Sequence, residues 1–301
     1  MMSVISCENV IQTFQKTEAL RGLSFTIQPN SITGVIGRNG AGKTTLLKLL
    51  AGFTKPNAGD IKVFSERPFD SLTVSANSIF VDDQMSFPSA LNLKEILQFA
   101  AHFYPNWDQE LAERLFDYFQ FQPKQSHQKL SKGKCSTFNA IIGLCARCPL
   151  TIFDEPTTGM DAAVRSDFYR ALMKEYLAYP RTILLSSHHI EEIEELLEDV
   201  LLIHEGKKLM HIPVHQLSEM AIQLSGSKDV AEKWTKNRKV YDRKIVGTDR
   251  VYVVVENDFT DDERTQLKRD GLEIVNVSAN DMCVYVTKTT EGGIDDVFRE
   301  R

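Results

Sequence analysis

SITGVIGRNGAGKTTLLKLLAG, Ser31 to Gly52, is the stretch whose reading decides the fold. It opens as a short β-rich apolar run, Ser31 to Gly37, and passes through a glycine loop into the helical pattern KTTLLKLLAG. Strand, glycine loop and helix in that order begin a βαβ unit. Within it GRNGAGKT, Gly37 to Thr44, matches G-x-x-x-x-G-K-[ST]. Successive backbone N–H groups of such a loop point into a concave nest at a helix N-terminus, where the dipole favours phosphate. Gly40 and Gly42 permit backbone conformations and a close approach that a Cβ would block. Lys43 is expected to reach the β- and γ-phosphates, and the Thr44 hydroxyl to ligate Mg²⁺. Gly37, Arg38, Asn39, Gly40, Ala41, Gly42, Lys43, Thr44 and Thr45 form the expected nucleotide-binding set.

Outward from the loop, further apolar runs read as strands: SIFV from Ser78, LTIFD from Leu150, TILLSS from Thr182 and VLLIH from Val200. Their near-continuous apolar character fits strands buried on both faces of a mostly parallel sheet. Helical patterns separate them, Ala162 to Leu177 among them, and the class is α/β. A further helix is expected from Ile190 to Leu197. Between Leu91 and Gln128 the texture changes to aromatic-rich helices broken near Tyr104-Pro105-Asn106, a helical insertion set at about residues 90–148. The aromatics read as core, with an exposed edge open to a partner. Near Pro213 the texture changes again, and residues 213–301 read as a small accessory α/β domain behind a domain of residues 1–212. In it RVYVVVE, LEIVNVS and MCVYVT read as strands, TDDERTQLKRDG as a polar helix, and GIDDVFRER closes the chain.

Composition bounds the rest. The chain has 301 residues, 42% hydrophobic and 25% charged, enough for a large domain and a small one. A net charge of −6 argues against a nucleic-acid partner. No run approaches a membrane span, and MMSVISCENV lacks the basic start and apolar core of a secretion signal. The odd set of five cysteines suits a reducing compartment. Cys145 and Cys148, in CARC, lack further ligands at zinc spacing and sit late in an apolar run, so they read as core thiols.

A second chemical stretch is LTIFDEPTTGMD. Its strand ends in Asp154, placed to complete a Mg²⁺ shell, and Glu155 next to it is a candidate general base. A third, KLSKGKCSTF, starts a helix with Ser131, Lys132, Gly133 and Lys134, groups that suit an anion, although Ser131 would equally cap the helix.

Together GRNGAGKTT, LSKGK, IFDEPTTGMD and LSSHHIEE, in this order, resemble the nucleotide-binding subunits of ATP-binding cassette (ABC) transporters over roughly residues 3–212. The spacing is most similar to bacterial export-type systems, close to the Ytr type of Gram-positive bacteria (YtrB-like). The resemblance implies a P-loop NTPase fold, ATP and Mg²⁺ as ligands, and Mg²⁺-dependent hydrolysis. It implies catalytic roles for Glu155 and His188, the latter as the switch histidine, and adenine stacking by Phe14. Ser131, Lys132, Gly133 and Lys134 would meet ATP held by a second subunit, identical or homologous, in a head-to-tail pair, with Asp161 in the interface loop. Separate transmembrane permease subunits would hold the chain on the cytoplasmic face of the membrane. Two departures stand out. Where the family has a glutamine after the strand, VDDQMSFP offers Gln84 by residue type and Asp83 by alignment, and Gln84 is taken as the metal-sensing residue. LSKGK stands where LSGGQ is usual. Other readings are a soluble ATPase of the same class in a non-transport complex, or a nucleotide-gated sensor with little turnover.

Overall fold

The computed structural model describes residues 3–288. The chain divides into two compact units, the first running to His211 and the second from Ile212 onward.

The first unit opens with β1 (Ile5–Phe14) and β2 (Thr17–Ile27), an antiparallel hairpin. Then come β3 (Ile32–Ile36), α1 (Lys43–Leu50) and β4 (Ala58–Val63), which pairs with β1 to complete a three-stranded antiparallel sheet. After α2 (Leu72–Asn77) and β5 (Ser78–Val81) comes the helical insertion of α3 (Leu93–Phe103), α4 (Gln109–Tyr118) and α5 (Lys132–Cys145). The chain returns through β6 (Leu150–Asp154), α6 (Ala162–Ala178), β7 (Thr182–Ser187), β8 (Asp199–His204) and β9 (Lys207–Pro213).

A six-stranded sheet in the order β5-β6-β7-β3-β8-β9 results, parallel from β5 to β8. Strands β3, β6 and β7 are buried along their whole length, as the apolar runs require. One core joins Val35, Ile152, Leu184 and Leu201 of this sheet to Leu46, Leu47, Leu49 and Leu50 of α1, and onward to Ile5, Leu23 and Ile27 of the antiparallel sheet. Helix α1 therefore lies between two sheets, which is why KTTLLKLL is apolar on more than one face.

Helix α3 begins with a capping box between Asn92 and Glu95, and α4 with Asp108 accepting from the Leu111 N–H. Phe116, Phe121 and Phe138 form the aromatic core of the insertion, while Phe99 and Phe103 are exposed. The helix expected from Ile190 to Leu197 is instead two short 3₁₀ turns, Ile190–Glu192 and Glu194–Leu196. Ile190 and Ile193 are both buried there, a spacing of three that a 3₁₀ turn aligns.

The second unit continues through α7 (Val214–Glu219), β10 (Ala221–Ser227), α8 (Lys228–Thr235), β11 (Val240–Val246), β12 (Arg250–Glu256), α9 (Asp261–Arg269), β13 (Glu273–Asn276) and α10 (Ala279–Val286). Its sheet is antiparallel in the order β11-β12-β10-β13. MCVYVT is not the strand its β-branched residues suggest but the body of α10. Ser278 caps that helix through the Asp281 N–H, and Ala279, Met282 and Cys283 bury one helical face. Capping and burial at helical spacing outweigh local β preference. GIDDVFRER lies outside the described residues.

Candidate nucleotide site

Gly42 caps α1 with φ at +105°, and a Cβ there would lie 2.6 Å from the Ala19 carbonyl oxygen. Only glycine fits that close approach to the β1–β2 sheet without strain. The loop ahead of α1 then faces a cleft of about 740 Å³. Its walls are Asn39 to Thr45, Glu155, the Thr17–Ala19 stretch, Arg21 and the Glu205-Gly206 turn. Phe14, at the end of β1, is not part of that wall and stands half-exposed.

Lys43 is 5% exposed, and its ammonium is fully engaged. It donates to the carbonyls of Gly37 (2.7 Å) and Arg38 (3.4 Å) and lies 3.3 Å from Glu155 Oε1. Glu155 Oε2 in turn lies 3.3 Å from His188 Nδ1. Three residues from distant parts of the sequence thus form a continuous line: cation, carboxylate, imidazole. Asp161 serves locally as the cap of α6, accepting from the Val164 N–H.

Sequence reasoning passed over Ser186, which organises the two acids. Its hydroxyl donates to Asp154 Oδ1 (2.6 Å) and accepts from the Glu155 N–H (2.9 Å). Asp154 and Ser186 are direct partners across β6 and β7, so one side chain sets both neighbours. Asp154 is buried, and this bond holds its carboxylate where water cannot. Glu155 adopts φ +47°, a left-handed backbone, and its carboxylate faces Lys43. The signal for Ser186 was in SSHH, two residues before His188, but only strand register gives it meaning.

The turn after β5 holds both candidates for the glutamine position. Gln84 donates its side-chain amide to Asp83 Oδ1 (3.0 Å), and Asp83 pairs with Lys132 (3.3 Å). Asp82, weighed by neither reading, is the acid of this turn whose charge is coupled to Asp154; burial first, then that neighbour, raises its pKa. On α5, Ser131 caps the helix by accepting from the Lys134 N–H. Lys134 turns inward to the Phe119 carbonyl and over the Phe121 ring, so its ammonium is spent within its own helical insertion. A Cβ on Gly133 would lie 2.3 Å from the Gly159 carbonyl oxygen, so this glycine lets α5 start flush against the TTGMD loop. None of Ser131, Lys132, Gly133 or Lys134 lines the cleft around Lys43.

Residues 20–158 match the model of a family described as ABC transporter. The Nod factor export ATP-binding protein I of Burkholderia lata is 31% identical over 224 residues, 72% of this chain and 73% of its own. The chain belongs to the ABC transporter family. Within the family, the ABC transporter ATP-binding protein YtrB of Bacillus subtilis is 26% identical over 229 residues, covering 75% of this chain and 78% of its own. A dimeric ATP-binding cassette in a post-hydrolysis state, bound to ADP and phosphate, superimposes with a TM-score of 0.62 at 17% identity, covering 70% of this chain and 98% of its own. The first unit is thus an ABC cassette in fold as well as in sequence. Among the described residues, no helix is long and apolar enough to cross a membrane.

Proposed function

We propose that this chain is the ATP-hydrolysing subunit of an exporter, with residues 1–212 as the cassette and 213–301 as an accessory domain. Two cassettes pair head to tail, and separate membrane-spanning subunits carry the cargo. The observation that supports this most is the line Lys43–Glu155–His188 at a phosphate nest, with Asp154 set beside it by Ser186. A sensor without turnover would have no use for a carboxylate aligned in this way.

Mg²⁺ suits the donor set, which is made of hard oxygens: the hydroxyl of Thr44, which lines the cleft, and the Asp154 carboxylate held by Ser186. When bound, it supplies neutralisation of charge on the β- and γ-phosphates. The chain's own groups do the rest. Backbone N–H groups of the loop and the Lys43 ammonium bind the phosphates. The arriving γ-phosphate competes with Glu155 for Lys43, so the carboxylate is released as nucleotide binds. Freed, Glu155 accepts the proton of the attacking water, and His188 keeps that carboxylate oriented and reaches toward the γ-phosphate. Because Ser131 and Gly133 lie apart from the cleft, their anion-binding helix start is read as serving ATP on the other subunit.

Steady-state phosphate release tests the reading: Mg²⁺-dependent hydrolysis in the wild type, abolished by Lys43→Ala. Hydrolysis by that variant at the wild-type rate sinks the site assignment.

A further inference from the structure

Asn139 is the one buried polar side chain on α5 that bonds to the acidic turn, and it is wholly enclosed. Its amide nitrogen donates to the carbonyls of Asp82 and Met85, each at 3.2 Å, closing the turn that follows β5. Carbonyls only accept, so this fixes which way round the amide sits. Its oxygen then faces His127 Nε2 at 2.8 Å, and that nitrogen must carry the proton. His127 is itself buried, with its ring 5.0 Å from Phe87 and 5.7 Å from Phe138. Burial lowers its pKa, in keeping with a neutral imidazole that donates.

We propose that Asn139, held by His127, is a positioning residue that locks the acidic turn Asp82–Met85 onto α5, so that the turn beside Asp154 and the SKGK start of that helix move as one piece. The outer surface carries a second tie, since Lys132 at the start of α5 pairs with Asp83 of the same turn at 3.3 Å. The two ties are seven residues apart on α5 and hold the turn to the helix at two points. On its other side the turn follows directly from β5, whose Val81 pairs with Phe153, the residue before Asp154. A displacement at Lys132 to Gly133 is therefore carried through Asn139 to the residues beside Asp154. This rests on the reading of Asp154 as the carboxylate that meets Mg²⁺-ATP.

The test is Asn139→Leu in the full-length chain, which fills the space without the amide. Its kcat should fall, or its half-saturating Mg²⁺ rise, by about 10- to 100-fold, the range for lost support behind a metal ligand. ATP affinity without Mg²⁺ should stay within about twofold, because the phosphate nest is untouched. His127→Phe should reproduce the loss by removing the donor, and His127→Gln, whose amide can still donate to Asn139, should restore it. Wild-type kcat and Mg²⁺ dependence in a folded Asn139→Leu protein would overturn the inference. If that variant does not fold, equal behaviour of His127→Phe and His127→Gln would overturn it. A wild type without Mg²⁺-dependent hydrolysis would instead bring down the reading beneath.

Discussion

Replacing Glu155 by glutamine should make the protein bind ATP more tightly while it ceases to cleave it. Glu155 Oε1 lies 3.3 Å from Lys43 Nζ, and the lysine is 5% exposed against 30% for the carboxylate side chain. At an effective dielectric of about 20 the gross attraction at that distance is about 5 kcal/mol. Screening at the carboxylate and the desolvation of both groups reduce the net worth to about 1–2 kcal/mol, between the values for exposed and buried pairs. That interaction must be surrendered when the phosphates claim Lys43. Glutamine keeps the shape but offers no charge, so this competition disappears. ATP affinity should rise about 5- to 30-fold, the equivalent of that energy. Hydrolysis should drop by about 10²- to 10⁴-fold, the usual worth of a positioned base. Equilibrium binding of a fluorescent ATP analogue gives the first number and phosphate release the second. Weaker binding by Glu155→Gln would refute the competition argument, and hydrolysis at the wild-type rate would refute the role of the base.

Ser186→Ala removes the hydroxyl shared by Asp154 and the Glu155 N–H, so it should lose about 1.5–3 kcal/mol of stability and most of its Mg²⁺-dependent turnover; calorimetry showing an unchanged Tm would contradict that. Mixing a Lys43→Ala chain with a Ser131→Arg chain should regenerate one intact composite site, detected as ATP-dependent crosslinking of differently tagged chains, whereas each variant alone should fail; no mixed dimer under conditions where wild-type chains pair would reject the head-to-tail reading. The buried thiols Cys7, Cys145 and Cys148 all titrate above their ordinary range, with Cys148 pushed up to about 12 by burial. Since the unfolded chain loses these protons near pH 8.5 and the folded chain keeps them, stability should fall as pH rises beyond about 9. Urea denaturation between pH 8 and 10 measures this, and a flat midpoint would show the thiols to be accessible.

Much of the cassette was legible in local patterns. GRNGAGKT places a phosphate nest because backbone N–H groups, glycines and one lysine act within eight consecutive residues, with no help from distant chain. The strands β3, β6 and β7 are equally local, since double-sided burial in a parallel sheet leaves continuous apolar runs. MCVYVT misled because strand preference is weak, and the Ser278 cap with burial of Ala279, Met282 and Cys283 decided for a helix. The antiparallel sheet of β1, β2 and β4 has mixed burial and bulged register, which a single strand does not advertise. Lys43 and Thr44 stand out in the sequence through the loop pattern, while the partners of Lys43 do not. That Glu155 and His188 meet at Lys43, that Ser186 clamps Asp154, and that Asn139 ties the Asp82 turn to α5 depend on register across β6 and β7 and on how α5 lies over the turn. Such contacts join residues far apart in the chain, and their distances exist only once the sheet is assembled. The sequence alone could therefore name the chemical groups, while the tertiary structure decided which of them share a proton, a charge or a movement.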